Sequence, residues 1–104
     1  MPEPLAVDVQ TPLGFRAICS HAYWEQITTV KHPAMRGRLE DVRGTLAEPD
    51  EIRRSVSDEN VLLFHRKVTP RWVCVVVKRA DGIGYLLTAY PADKIKQGEV
   101  LWTK

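Results

Sequence analysis

Thr88 and Tyr90 stand two residues apart near the end of an apolar stretch, Ile83 to Tyr90, which closes on Pro91 and is followed by Lys94 and Lys96. Read as a strand, that spacing sends both hydroxyls out of one face, together with Gly84 and Leu86. Strand ends that turn polar are common places for chemistry. Two readings stay open: solvated hydroxyls on a half-exposed strand, or a hydrogen-bonding ledge for a phosphate, with the gap at Gly84 leaving room for a base or sugar.

Three further groups could serve such a ledge. Arg54 alternates onto the same face as Ile52 and Val56, and an arginine among inward-facing apolar residues needs a partner. That partner is either a carboxylate, Asp58 or Glu51, or a phosphate gripped by the planar guanidinium fork. Of His21, His32 and His65, His32 is the best acid on physical grounds, because it falls at a helix C-terminus, where the dipole favours a cationic imidazole. The bland alternative is a polar helix stop before Pro33. His65 lies mid-strand in Leu62-Leu63-Phe64-His65-Arg66-Lys67, either as a solvent-facing residue or as a second site group.

The elements that must position these residues read as follows. Residues 1–19 form an extension or a short hairpin, with Leu5 to Val9 and Phe15 to Ile18 as strands around the Thr11-Pro12-Leu13-Gly14 turn. Residues 20–48 are helical. Ser20 caps a first helix carrying Tyr23, Ile27 and Val30 and stopped by Pro33, and Met35, Leu39, Val42 and Leu46 repeat at the spacing of a second. Residues 52–104 are the sheet part, with strands at Ile52 to Val56, Val61 to Arg66, Trp72 to Lys78 and Ile83 to Tyr90. Short turns join them, Asp81-Gly82 being the strongest hairpin signal. The expectation is a single α+β domain: two N-terminal helices packed on one face of a three- or four-stranded antiparallel meander.

At 104 residues the chain can bury a core without metals or disulfides. It has no apolar run of membrane-spanning length and no signal-peptide pattern at its N-terminus, so a cytoplasmic protein with no membrane association is expected. Cys19 and Cys74 read as two buried thiols rather than a disulfide framework. The net charge of +2 hides an asymmetry: residues 1–60 carry seven Lys/Arg and ten Asp/Glu, net −3, whereas residues 61–104 carry eight and three, net +5. The basic half suits an anionic partner or simply solvates its strands. No Cys/His spacing resembles a zinc site, no glycine-rich loop could cradle a nucleotide, and no serine sits in a nucleophile-elbow context.

Four segments carry a resemblance: Lys31-His32-Pro33, Pro49-Asp50-Glu51-Ile52-Arg53-Arg54-Ser55, Phe64-His65-Arg66 and Leu87-Thr88-Ala89-Tyr90-Pro91. In this order they resemble the small phage and bacterial domains of the barnase/EndoU/colicin/RelE-like superfamily of metal-independent ribonucleases. The resemblance implies RNA cleavage by attack of a ribose 2′-OH on the adjacent phosphate, with no cofactor and no metal. It implies His32 as general acid or base, Arg54 and Arg66 neutralising the phosphate, Thr88 hydrogen-bonding it, and Tyr90 stacking on a base or assisting proton transfer. His65 and Lys94 are the candidates for the second site group that several relatives carry. RNA is then the expected partner, with an inhibitor or partner protein beside it. A non-catalytic module binding RNA or protein through the basic half and an exposed Trp102 tail is the competing class. The assignment requires His32, Arg54 and Thr88 on one side of the sheet.

Overall fold

A computed structural model describes residues 4–104; residues 1–3 of the expected N-terminal extension lie outside the described residues. The sheet is larger than the expected meander. Seven strands, β1 (Leu5–Gln10), β2 (Arg16–Ser20), β3 (Glu51–Ser55), β4 (Val61–Val68), β5 (Arg71–Ala80), β6 (Ile83–Ala92) and β7 (Gly98–Thr103), form one sheet in the order β1-β2-β6-β5-β4-β3-β7. All neighbours are antiparallel except β2 and β6, which run parallel. The expectation of a three- or four-stranded antiparallel sheet under two packed helices is therefore corrected to a mixed seven-stranded sheet with two short helices.

The correction has two physical sources. The residues 1–19 segment is a hairpin that joins the sheet: Arg16, Ala17 and Ile18 pair with Ile83, Gly84 and Tyr85. Val7, Ala17 and Phe15 are thereby buried. The supposed Trp102 tail is β7, with Trp102 opposite Ile52 and packed against the core. Both pairings join residues far apart in the chain, so no local turn signal announces them.

The helical part breaks where its residues compete with the α-helix. Ser20 Oγ accepts the Tyr23 N–H (3.1 Å) and starts α1 (His21–Gln26). Thr28 Oγ1 then bonds back to the Trp24 and Glu25 carbonyls, and Ile27–Lys31 widens into a π-helical turn closed by His32 N–H on the Ile27 carbonyl (2.8 Å). Pro33–Met35 is a single 3₁₀ turn, and Gly37 at φ +77° separates it from α2 (Leu39–Ala47). The second helix is thus shorter than its apolar spacing from Met35 implies.

Strand alternation, shifted once by an irregularity in β6 between Leu86 and Thr88, sorts the sheet into two faces. Ile52, Leu62, Phe64, Val73, Val75, Val77, Leu86 and Ala89 point to one face, where Val42 and Leu46 of α2 complete a core with no exposed surface at Phe64, Val42 or Leu46. The shift puts Gly84 and Leu86 on this face and Thr88 and Tyr90 on the other, which corrects the expectation that all four share one face. The Asp81-Gly82 turn between β5 and β6 takes φ +54° and +79°, as a two-residue hairpin turn with the sheet's own twist demands. Among the described residues no helix is long and apolar enough to cross a membrane.

Candidate functional site

The strand registers lay a row of polar side chains across the face opposite α2. Glu51 of β3 stands opposite His65 of β4, His65 opposite Cys74 of β5, and Cys74 opposite Tyr90 of β6. The next row on that face is Arg53, Leu63, Val76 and Thr88. His65 and Cys74 have no exposed surface, although the helical core lies on the other side of the sheet.

What lies over them is the crossover of residues 93–97. Because β6 is third in the sheet and β7 is at the far edge, the connection between them must traverse β5, β4 and β3. It does so over the polar row. The Lys96 N–H donates to His65 Nε2 (3.3 Å), Arg53 Nη1 donates to the Lys96 carbonyl (3.2 Å), and the Lys96 ammonium sits 5.5 Å from the centre of the Tyr90 ring. Arg53 is itself held by Glu51 (2.6 Å).

His32 arrives from the sheet edge. β2 pairs with β6 only up to Tyr85, which leaves the later part of β6 to the helical segment: Tyr23 Oη donates to the Leu87 carbonyl (2.8 Å), and the π-turn ends with the His32 ring 5.4 Å from that of Tyr90. His32 is half-buried. Lys94 and Lys96 line a hollow of about 660 Å³ beside Tyr90. A second, of about 320 Å³, is lined by Ser55, Ser57, Thr88, Tyr90, Lys96 and Gln97.

Electrostatics divides these groups into fixed and available ones. Burial first, then Arg53 and Lys96, push the His65 imidazole down to about 4 against the opposing pull of Glu51, so near neutral pH it is uncharged and accepts the Lys96 N–H. Burial raises the Tyr90 phenol, with the Cys74 thiol beside it adding to the effect, so it is a hydrogen-bond donor and not a base. Burial likewise raises Cys74, against smaller opposing effects of Tyr90 and Lys96. Among the described residues, four buried side-chain polar atoms lack a well-formed hydrogen bond: Arg54 Nε, His65 Nδ1, Thr88 Oγ1 and Tyr90 Oη. Three of the four lie on this one face. The Cys74 thiol beside Tyr90 and the Leu63 main chain beside His65 pair two of these weakly, and a buried polar atom left unpaired costs on the order of 1–3 kcal/mol, so the face, Thr88 above all, gains from a hydrogen-bonding ligand.

The sequence-predicted residues are not all brought together. His32, His65, Thr88, Tyr90 and Lys94 share the crossover face or its rim. Arg54 and Arg66 do not. Arg54 stands opposite Leu62 on the α2 side and pairs with Glu99 of β7 (2.8 Å), while Glu51 and Asp58, its expected carboxylates, hold Arg53 and Lys78 instead. Arg66 lies against α2, where a Cβ at Gly44 would strike its guanidinium. The sheet therefore separates both arginines from Thr88, and the condition that His32, Arg54 and Thr88 share one side of the sheet is not met, so the site as expected from the sequence is not assembled. The residues the sequence reading passed over are Arg53, Cys74 and Lys96. Arg53 was available by alternation, being one residue from Arg54 on the opposite face, but Cys74 and Lys96 are placed by cross-strand register and by the crossover.

Taken together, the face offers one half-buried imidazole at its rim, two lysines, a serine pair and two inward hydroxyls, a set suited to an anionic, hydrogen-bonding group. Among the described residues no three His, Cys, Asp or Glu side chains gather in a way that could hold a metal ion. Comparison with family models, with curated proteins and with solved structures finds no match to this chain.

Proposed function

We propose that the crossover face binds RNA at a phosphodiester and, with His32 as the group that moves the proton, cleaves it without a metal. The observation that carries this reading is the convergence of the His32 ring, the Lys96 ammonium and the Thr88 hydroxyl on Tyr90. In the reaction, the ribose 2′-oxygen loses its proton and bonds to phosphorus, and the bond to the 5′-oxygen breaks as that oxygen gains a proton. The products are a 2′,3′-cyclic phosphate and a 5′-hydroxyl. Imidazole is the natural carrier for both transfers. Lys96 and Lys94 neutralise the charge that builds on the phosphorane, Thr88 donates to it, and the Tyr90 and His32 rings offer a platform for a base. Arg54 and Arg66, on the other face, take no part.

A second reading, RNA retention without cleavage, is favoured by one observation: His65 is neutral and committed to the Lys96 main chain, which leaves the half-buried His32 as the one imidazole of the face that reaches solvent. A single assay separates the two. Mixed-sequence RNA is incubated with the protein in EDTA, beside His32→Ala, Thr88→Val, Lys96→Ala and Arg54→Ala. Catalysis predicts cyclic-phosphate ends that fall by about 10²-fold or more in His32→Ala and persist in Arg54→Ala. Retention that weakens steeply with salt and yields no new ends supports the binding module. Neither cleavage nor retention would overturn both.

A further inference from the structure

Cys74 and His65 are wholly buried on a sheet face that carries no helix over them, and the segment that shields them is a loop with no regular structure between Asp93 and Gln97. Such a loop is held only by its own contacts. Two of these are on the Lys96 peptide unit itself: His65 Nε2 takes its N–H and Arg53 Nη1 gives to its carbonyl. A third, Arg71 with Asp93 (2.9 Å), ties the start of the loop to β5 at an exposed position, where ion pairs contribute little.

We propose that the crossover of residues 93–97 is a latched cover, that His65 and Arg53 are the positioning residues holding Lys96 shut, and that its opening exposes the polar row of His65, Cys74, Tyr90 and Thr88. The inference does not depend on the RNA reading; it concerns how any ligand reaches that row. Facing the imidazole are Glu51 and Arg53 from β3, Cys74 from β5 and Lys96 from the crossover. With two cations and one carboxylate around it, the buried ring stays neutral, and the neutral ring is the form that can accept from Lys96. The unpaired hydroxyl of Thr88, the Tyr90 hydroxyl with only the weak Cys74 thiol beside it, and the poorly paired His65 Nδ1 beneath the cover make the closed state costly. The latch and the uncovered row thus oppose each other, the balance from which a cover that opens is made.

The two thiols allow a direct test. Cys74 lies under the crossover with no exposed surface, whereas Cys19 is 5% exposed on the opposite face beside a hollow lined by Ser20, Tyr23 and Leu86, so Cys19 is the reference thiol that the crossover does not shield and Cys74 reports both global unfolding and local opening. The wild-type chain is alkylated with iodoacetamide at fixed neutral pH, and the rate at each cysteine is read by peptide mass mapping. His65→Leu removes the acceptor and should raise the Cys74 to Cys19 rate ratio about five- to tenfold, the worth of one hydrogen bond. His65→Gln, whose amide oxygen can accept from Lys96, should stay within about twofold of wild type. Arg53→Gln should give a smaller rise than His65→Leu. An unchanged ratio in both His65→Leu and Arg53→Gln, or a parallel rise at both cysteines, would overturn the latch. Hydrogen exchange on the wild-type chain provides a check that needs no variant: the Lys96 amide should be protected at neutral pH, and its exchange at the rate of an open loop would also sink the proposal.

Discussion

His65 shows how far one side chain's meaning depends on its neighbours. By type and position it reads as a site acid or a solvent-facing residue, but the strand registers bury it between Glu51 and Cys74 and the crossover closes on it. The consequence is thermodynamic. Its imidazole titrates near 4 in the folded chain against an ordinary 6.5, so as the pH falls the unfolded chain takes the proton first. The stability this group contributes is complete above about pH 6.5 and is lost as the pH falls toward 4, by at most about 1.4 kcal/mol per unit for one proton. Asp8 and Asp58, held below 3.8 by Arg16 and by the Asn60 N–H respectively, act only below that window. Thermal unfolding from pH 7.5 to 4.5 should therefore show a falling melting temperature that His65→Gln flattens; a parallel slope in the variant would remove His65 as the cause. At this scale the chemistry of the sequence was readable and its geometry was not. Arg53 and Arg54 differ by one position and so by one whole face, and which of them meets Thr88 is decided by pairings with β4 and β7 that neither residue announces.

Elements were legible where their signals are local. The strands β3 to β6 and their turns follow from β-branched runs broken by Thr69-Pro70 and Asp81-Gly82, and the N-cap of α1 follows from Ser20. The π-turn was hidden because Ile27 and Val30 keep a helical spacing while Thr28 back-bonds to the preceding turn. That local distortion has a functional result, since it sets where His32 leaves the helix beside Tyr90. β7 was hidden for a different reason: it is short, opens on a glycine and depends on β3 for its pairing. Gly98 is required there by close approach, since a Cβ would strike the Arg54 carbonyl oxygen. Gly98→Ala should lower stability by about 1–3 kcal/mol, the usual cost of forced overpacking, with the loss of amide protection greatest in β7. Urea unfolding with hydrogen exchange checks both parts. Full stability with β7 still protected would mean that the strand can move aside at no cost.

At the scale of the molecule, one core joins the hairpin, the meander, β7 and the helical segment. Phe64 sits at its centre, fully buried, with its ring stacked 6.3 Å from that of Phe15, and Ile52, Val75 and Leu46 belong to the same cluster. Phe64→Ala should cost about 3–5 kcal/mol, and the loss should appear equally by fluorescence and circular dichroism, because a core shared by all elements unfolds as a unit. Separate transitions for the two probes would show that the hairpin or β7 melts by itself. The parallel contact of β2 with β6 has a further consequence, one of timing. Arg16 to Ile18 are made early on the ribosome and their partners, Ile83 to Tyr85, much later. Through that interval Val7, Phe15 and Ala17 have no core to enter, and β2 presents an unsatisfied inner edge to whatever is near. The nascent hairpin thus keeps an open edge until β6 is made, and slowing translation between β2 and β6 would lengthen its exposure.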